Sequence, residues 1–240
     1  FKVYSGTLNE SEIRRLGFTW SQTLANRSFL AVNGTLMAAR EALKNGISCH
    51  LAGGTHHAHF NFGSGFCVFN DLAYASLQMI YFNEVKKILI FDCDVHQGDG
   101  TASILKHNDS IFTCSVHCKN NFPARKKESN LDIELDDNLD SKSYLEVISS
   151  TLEACTEAFQ PDLVLYDAGV DIHINDKLGR LNVDDDGLLE RDLNVLKYFQ
   201  KRGIPVATVI GGGYSDDKLE LARRHSKIFY AADQIFIQNR

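Results

Sequence analysis

The residues whose types and spacing carry the most chemistry are Asp94, His96 and, further along the chain, Asp171. Asp94 and His96 are two apart, so on an extended segment their side chains share one face, and Asp92 shares it too. Asp171 follows a separate apolar run and is available as a third ligand. Two carboxylates and one imidazole with an open position suit a catalytic Zn²⁺, or Fe²⁺ or Co²⁺ in the same cage, better than a closed structural site. Acidic residues after a strand are more often solvated or capping groups. Here His96 is interleaved with them and Gly98 and Gly100 lie alongside, which favours the metal.

His56 and His57 are adjacent and follow Gly53-Gly54. Neutral imidazoles beside an activated water are natural general bases, and an imidazolium can protonate a leaving amine. Each ring needs an acceptor for its other nitrogen, and Asp92 and Asp99 are the available carboxylates. Without such partners, a His-His pair is more simply two loop histidines bonded to backbone. His59 is read as a structural or surface residue. Tyr214 follows Gly211-Gly212-Gly213, a run that allows close backbone approach and would present the phenol as a donor to a developing oxyanion. That run lacks the G-x-G-x-x-G and Walker patterns of phosphate loops. Ser115 with its neighbouring carbonyls reads either as a second, oxygen-based cation site or as a plain strand end.

These residues need elements to hold them. Short apolar runs rich in β-branched residues at 47–52, 87–91, 111–116, 163–166 and 206–210 predict strands. Between them lie helical patterns: Phe29, Val32, Leu36 and Leu43 on one face ending at Gly46, a stripe along 141–159 with Ser143 and Glu146 at capping-box spacing, and Leu189, Leu193 and Leu196 ending before Gly203 and Pro205. Asp184-Asp185-Asp186 reads as a cap for that last helix. The acidic stretch 132–140 reads as a solvated loop, and Cys67 and Cys93 as packing residues. Strands alternating with amphipathic helices predict a single three-layer α/β domain with a mostly parallel sheet. In such sheets the ligand site lies beyond the carboxyl ends of the strands, where every candidate above falls.

The 240 residues carry 25 Lys+Arg against 31 Asp+Glu, a net charge of −6. That balance, with no basic stretch, argues against nucleic acid or an anionic membrane as partner and suits cationic surroundings of a substrate. Six cysteines without any C-x-x-C spacing suggest neither a disulfide framework nor a thiolate zinc site, and point to a reducing, cytoplasmic compartment, or a nuclear one in a eukaryote. No apolar stretch is long enough to cross a bilayer.

As a set, Gly53-Gly54-Thr55-His56-His57, Gly63-Ser64-Gly65-Phe66-Cys67 with Asn70-Asp71, residues 92–100, Ser115-Val116-His117, Phe122-Pro123, Asp171 and 211–214 resemble the histone deacetylase family. The wording is most similar to the class IV branch and its bacterial relatives. The resemblance implies an arginase-like fold and hydrolysis of acetyl or longer acyl groups from lysine side chains, in a protein or peptide, or from a small acylated amine. It implies zinc ligands Asp94, His96 and Asp171, the tandem histidines His56 and His57 with Asp92 and Asp99 as partners, and Tyr214 at the transition state. The narrow substrate tunnel would be walled by Gly65, Phe66, Phe122, Gly212 and Gly213, with Leu178 at its rim. A structural K⁺ site would map to Asp92, Asp94, His96, Ser115 and Val116. Two departures stand out. The family's first segment would precede Phe1, so 1–240 is expected to be one catalytic domain lacking it, and the stretch between His117 and Phe122 is shorter than in class I members. Two other readings compete: a two-metal Mn²⁺ ureohydrolase on the same fold, suggested by Asp94-x-His96-x-x-Asp99, and a binding module that holds acylated ligands without turnover.

Overall fold

The computed structural model describes residues 1–237. Strands β1 (Ile47–Cys49), β2 (Ile88–Asp92), β3 (Ile111–Cys118), β4 (Leu131–Leu135), β5 (Leu163–Asp167) and β6 (Val206–Val209) form one sheet in the order β1-β6-β5-β2-β3-β4. Every neighbouring pair runs parallel. The helices are α1 (Lys2–Ser5), α2 (Glu10–Leu16), α3 (Gln22–Asn45), α4 (Asp71–Tyr81), α5 (Asp99–Leu105), α6 (Ser141–Ala158), α7 (Asp185–Gln200) and α8 (Lys218–Ala232), the last followed by a π-helical turn, Asp233–Ile237.

Because successive strand residues point to opposite faces, the sheet feeds two cores. Ile88, Ile90, Leu163, Leu165 and Val209 pack with Leu36, Leu72 and Met79 of α3 and α4. On the other side, Leu89, Phe91, Val164 and Tyr166 pack with Ile148, Leu152, Val195 and Phe199 of α6 and α7. Strands buried on both faces read as near-continuous apolar runs, which is why the central four were visible in the sequence. The chain leaves β2 toward β3 and β4, then returns to the other side of β2 with β5. The gap between the ends of β2 and β5 is therefore the topological switch point, where open α/β sheets bind their ligands. In register, Asp92 lies opposite Asp167 there.

Four details differ from the sequence reading. β1 stops at Cys49 rather than continuing to residue 52, which frees the glycines and histidines beyond it as a loop. Residues within the acidic stretch form β4, an edge strand on which Ile133 and Leu135 alternate with Asp132 and Glu134; alternation with acids on an edge looks like a solvated loop to a sequence scan. On α3 the buried apolar residues are Leu36 and a row of alanines, Ala25, Ala38, Ala39 and Ala42, while Phe29 and Leu43 are exposed, because small side chains let the long helix lie close on its neighbours. The N-cap of α6 is Asp140, whose carboxylate accepts from the Ser143 amide at 2.9 Å, one turn earlier than the Ser143 capping box. Among the described residues, no helix is long and apolar enough to cross a membrane.

Candidate active site

β2 ends at Asp92, so Asp94 and His96 do not meet by strand periodicity. The chain turns instead, each turn fixed by a carboxylate: Asp92 Oδ1 accepts from the Asp94 amide at 3.0 Å and Asp94 Oδ1 from the His96 amide at 3.0 Å. Asp171 arrives after β5, and its Oδ1 accepts from the Val95 amide at 2.9 Å. The loop leading to it is gripped from below by Arg191 of α7. That guanidinium is fully buried and donates to the carbonyls of Gly169 at 2.6 Å and Ala168 at 3.1 Å.

The result is a buried cage in which His96 Nδ1 lies 3.1 Å from Asp94 Oδ1 and 3.1 Å from Asp171 Oδ2. Ligand atoms about 2.1 Å from a tetrahedral ion stand roughly 3.4 Å from one another, so the three converge as a zinc-type donor set requires. The electrostatics agree. Burial lowers and the carboxylates of Asp171 and Asp94 raise the His96 imidazole, to a net value of about 10. Burial and the Asp94 carboxylate push Asp171 up to about 7. The rise at His96, and the part of the rise at Asp171 that comes from Asp94, reflect concentrated negative charge, which a divalent cation at that point would neutralise. Gly212 closes one side: its amide donates to Asp94 Oδ2 at 2.7 Å, and any Cβ there would collide with the Asp171 carboxylate.

The tandem histidines sit on the loop after β1. His56 Nδ1 donates to Asp92 Oδ2 at 2.7 Å and His57 Nδ1 to Asp99 Oδ1 at 2.7 Å. The rings lie 4.1 Å apart between centroids, yet their ionisation diverges. For His56, burial is outweighed by the carboxylates of Asp92, Asp94 and Asp167, and the imidazole is held well above its ordinary value. For His57, burial and the neighbouring His56 charge prevail over Asp99, and the ring is pushed down to about 4. The two environments thus push the paired rings in opposite directions. Burial, with Asp94 and Asp171 nearby, raises the Tyr214 phenol far above its usual value, so it keeps a proton to donate.

Three supports of this loop escaped the sequence reading. His59, read as structural or surface, donates from Nε2 to the second oxygen of Asp99 at 3.1 Å. Asn70 Nδ2 donates to the carbonyls of His56 at 3.1 Å and Ala58 at 3.0 Å. Asp71, fully buried, accepts from the amides of Gly54 at 3.1 Å and Thr55 at 2.7 Å and from the hydroxyls of Thr55 and Thr35, both at 2.6 Å. The Asn70-Asp71 pair stood in the sequence only as part of a motif, because its role depends on a loop 12 to 17 positions earlier.

Two cavities meet at this centre, with His57, Gly65, Phe66 and Tyr214 lining both. The outer one, about 630 Å³, opens past Phe122 and Leu178. The inner one, about 220 Å³, is lined by Gly212 and Gly213 together with Asp94, where these glycines stand beside the cage. Gly65 and Phe66 both adopt left-handed backbone, and a Cβ on Gly65 would stand 2.6 Å from the His57 ring; only glycine lets the wall come that near. Asn121 joins the two sides of the mouth, donating to the Leu178 carbonyl at 2.5 Å. Ser115 lies beside Asp92 in the strand register, with its hydroxyl 3.0 Å from His117 Nδ1. Cys67, its thiol pushed up to about 12 by burial, and Cys93 are packed residues.

Residues 6–227 match the histone deacetylase domain. The chain belongs to the histone deacetylase family. It is 45% identical to an uncharacterized protein of Picosynechococcus sp. over 231 residues, covering 96% of this chain and 77% of that protein. Histone deacetylase 2 of Arabidopsis thaliana is 30% identical over 190 residues, 76% of this chain and 48% of its own length. A crystal structure of an HDAC homologue from Aquifex aeolicus superposes with a TM-score of 0.81 at 25% identity, covering 94% of this chain and 63% of that one. This histone deacetylase domain thus spans about half the length of the Arabidopsis relative and shares the fold of the Aquifex structure. Its family is one of hydrolases acting on acetyl-lysine amides.

Proposed function

We propose that the protein is a zinc-dependent deacylase that removes acetyl or longer acyl groups from lysine side chains or related acylated amines. The observation that carries this reading is the geometry of His56 and His57, each held through Nδ1 by a buried carboxylate, beside the Asp94-His96-Asp171 cage. A divalent ion held by those three residues would polarise the acyl carbonyl and acidify a water beside it. His57, neutral and oriented through Nδ1 by Asp99, accepts the proton of the attacking water at Nε2. The Tyr214 hydroxyl donates to the carbonyl oxygen as negative charge develops on it. As the carbon–nitrogen bond breaks, the proton on the histidine pair passes to the departing amine, with Asp92 stabilising the His56 imidazolium.

Under this reading residues 1–240 form one catalytic domain of class IV affinity, working in the cytoplasm, and Asp92, Asp94, His96, Ser115 and Val116 surround a structural K⁺. A two-metal ureohydrolase would use the neighbouring trio of His56, Asp92 and Asp167, whose ligand-type atoms also lie within 4.8 Å. His56 Nδ1 is already paired with Asp92 there, which favours an acid–base dyad over a second cation. The deciding experiment is amine release from acetyl-lysine peptides, longer acyl-lysines and acetylated polyamines by the zinc-loaded protein, with a hydroxamate as inhibitor. Tyr214→Phe and His57→Ala should each abolish release; unchanged rates in both variants overturn the mechanism, and a pure binding module would show no release in the parent protein.

A further inference from the structure

The outer cavity carries a charge pattern opposite to that of the chain as a whole. Arg14 and Arg15 from α2 and Arg180 from the loop after Leu178 line it, and among the described residues no carboxylate does. The net charge is −6, so three guanidiniums on one opening are not a reflection of composition. Their acidic neighbours lie outside the cavity: Arg14 reaches Glu10 at 3.4 Å, a pair exposed on both sides, and Arg180 reaches Asp137 at 3.3 Å. Arg15 lies 4.5 Å over the face of Phe62, which steadies the side chain without neutralising it. Exposed pairs such as Arg14 with Glu10 exchange readily with solvent and with other anions.

Inside the passage the walls are uncharged: Gly65, Phe66, Phe122 and Leu178. An acyl-lysine stem can lie there, but a charged group cannot without losing its hydration. Whatever surrounds the lysine α-carbon is therefore left at the mouth, beside the arginines. A guanidinium offers planar paired donors that match a carboxylate.

We propose that the mouth selects acyl-lysine substrates that carry a carboxylate next to the acylated residue, through Arg14, Arg15 and Arg180. The carboxylate comes either from acidic neighbours in a peptide or from the free α-carboxylate of an acylated lysine. This rests on the deacylase reading, and it replaces the expectation, drawn from net charge, that cationic surroundings suit the substrate.

The test is a matched set of acetyl-lysine peptides with Asp and Glu, Ala and Gln, or Lys and Arg as neighbours, together with acetyl-lysine bearing a free or an amidated carboxyl. Turnover by the zinc-loaded protein is measured alongside displacement of a fluorescent hydroxamate, which reads binding even where no hydrolysis occurs. Expected is an order of acidic, neutral, basic, with about tenfold between the extremes, seated in KM and displacement rather than kcat, and shrinking at about 0.5 M salt. The triple substitution Arg14→Gln, Arg15→Gln and Arg180→Gln should bring the ratio near one, and Arg180→Lys alone should keep most of it. Preference confined to the free amino acid, or to the peptides, identifies the source of the carboxylate. Equal or reversed orders in both measurements, or an order that survives the triple substitution, overturn the proposal. Absence of turnover on every acyl amide instead overturns the deacylase reading, while displacement still decides this one.

Discussion

Asp99 serves two histidines at once, receiving His57 Nδ1 on one oxygen at 2.7 Å and His59 Nε2 on the other at 3.1 Å. Burial would raise its carboxyl, but the two rings hold it below its ordinary value, so it stays an anion. Replacing it with Asn removes the charge that steadies His57 as that ring takes up a proton. Asp99→Asn is expected to lower kcat/KM on an acetyl-lysine peptide by roughly 10²–10⁴. His59→Gln, which only loosens the carboxylate, should cost roughly tenfold. Equal losses in the two variants, or none in the first, would contradict this hierarchy.

The cage makes a claim about stoichiometry. One Zn²⁺ per chain should bind, and at a free concentration about a hundred times the dissociation constant it should add about 2.7 kcal/mol to unfolding stability. Asp171→Asn should lose both effects while keeping its circular dichroism. Calorimetry and elemental analysis measure this; two Mn²⁺ per chain, both needed for activity, would favour ureohydrolase chemistry.

Asp71 touches neither cavity centre nor cage, yet four donors of the tandem-histidine loop and α3 end on it. Asp71→Asn turns one acceptor into a donor facing donors. The expected loss of stability is about 2–3 kcal/mol in denaturant titrations. A loss below about 0.5 kcal/mol, the usual range for surface changes, would mean that solvent can replace the carboxylate.

Burial pushes His225 of α8 down to about 4 from the ordinary 6.5. Between those values the unfolded chain binds a proton that the folded one refuses, so this residue's contribution falls as pH falls from 6.5 to 4. Relative to His225→Gln, the parent protein should lose about 3 kcal/mol of stability across that window. Parallel stability curves for the two proteins would show that His225 protonates as easily folded as unfolded.

Much of this was legible in the residues. Central strands buried on both faces produce apolar runs, and the strand ends gather the polar residues that follow them, so Asp94, His96, Asp171, His56 and His57 could be picked out. Legibility failed where meaning depends on a partner distant in sequence. His59 looks idle until Asp99, 40 positions away, is placed beside it. Arg191 looks like a surface charge on a helix until its carbonyl partners 22 and 23 residues earlier are known. β4 was hidden because acids on an exposed edge mask its alternation.

The strand order has a consequence for how the site comes into being. Among the described residues β1, which leads into His56 and His57, pairs only with β6, and β6 pairs on its other side with β5, which leads into Asp171. Until β6 is in place, β1 has no partner strand to fix the tandem histidines against the strands that lead into Asp94, His96 and Asp171. β6, which follows the other described strands in the sequence, fills that slot and carries Tyr214 just beyond its end. Closure of the sheet and completion of the catalytic set are one event, so partial translation products should be hydrolytically silent.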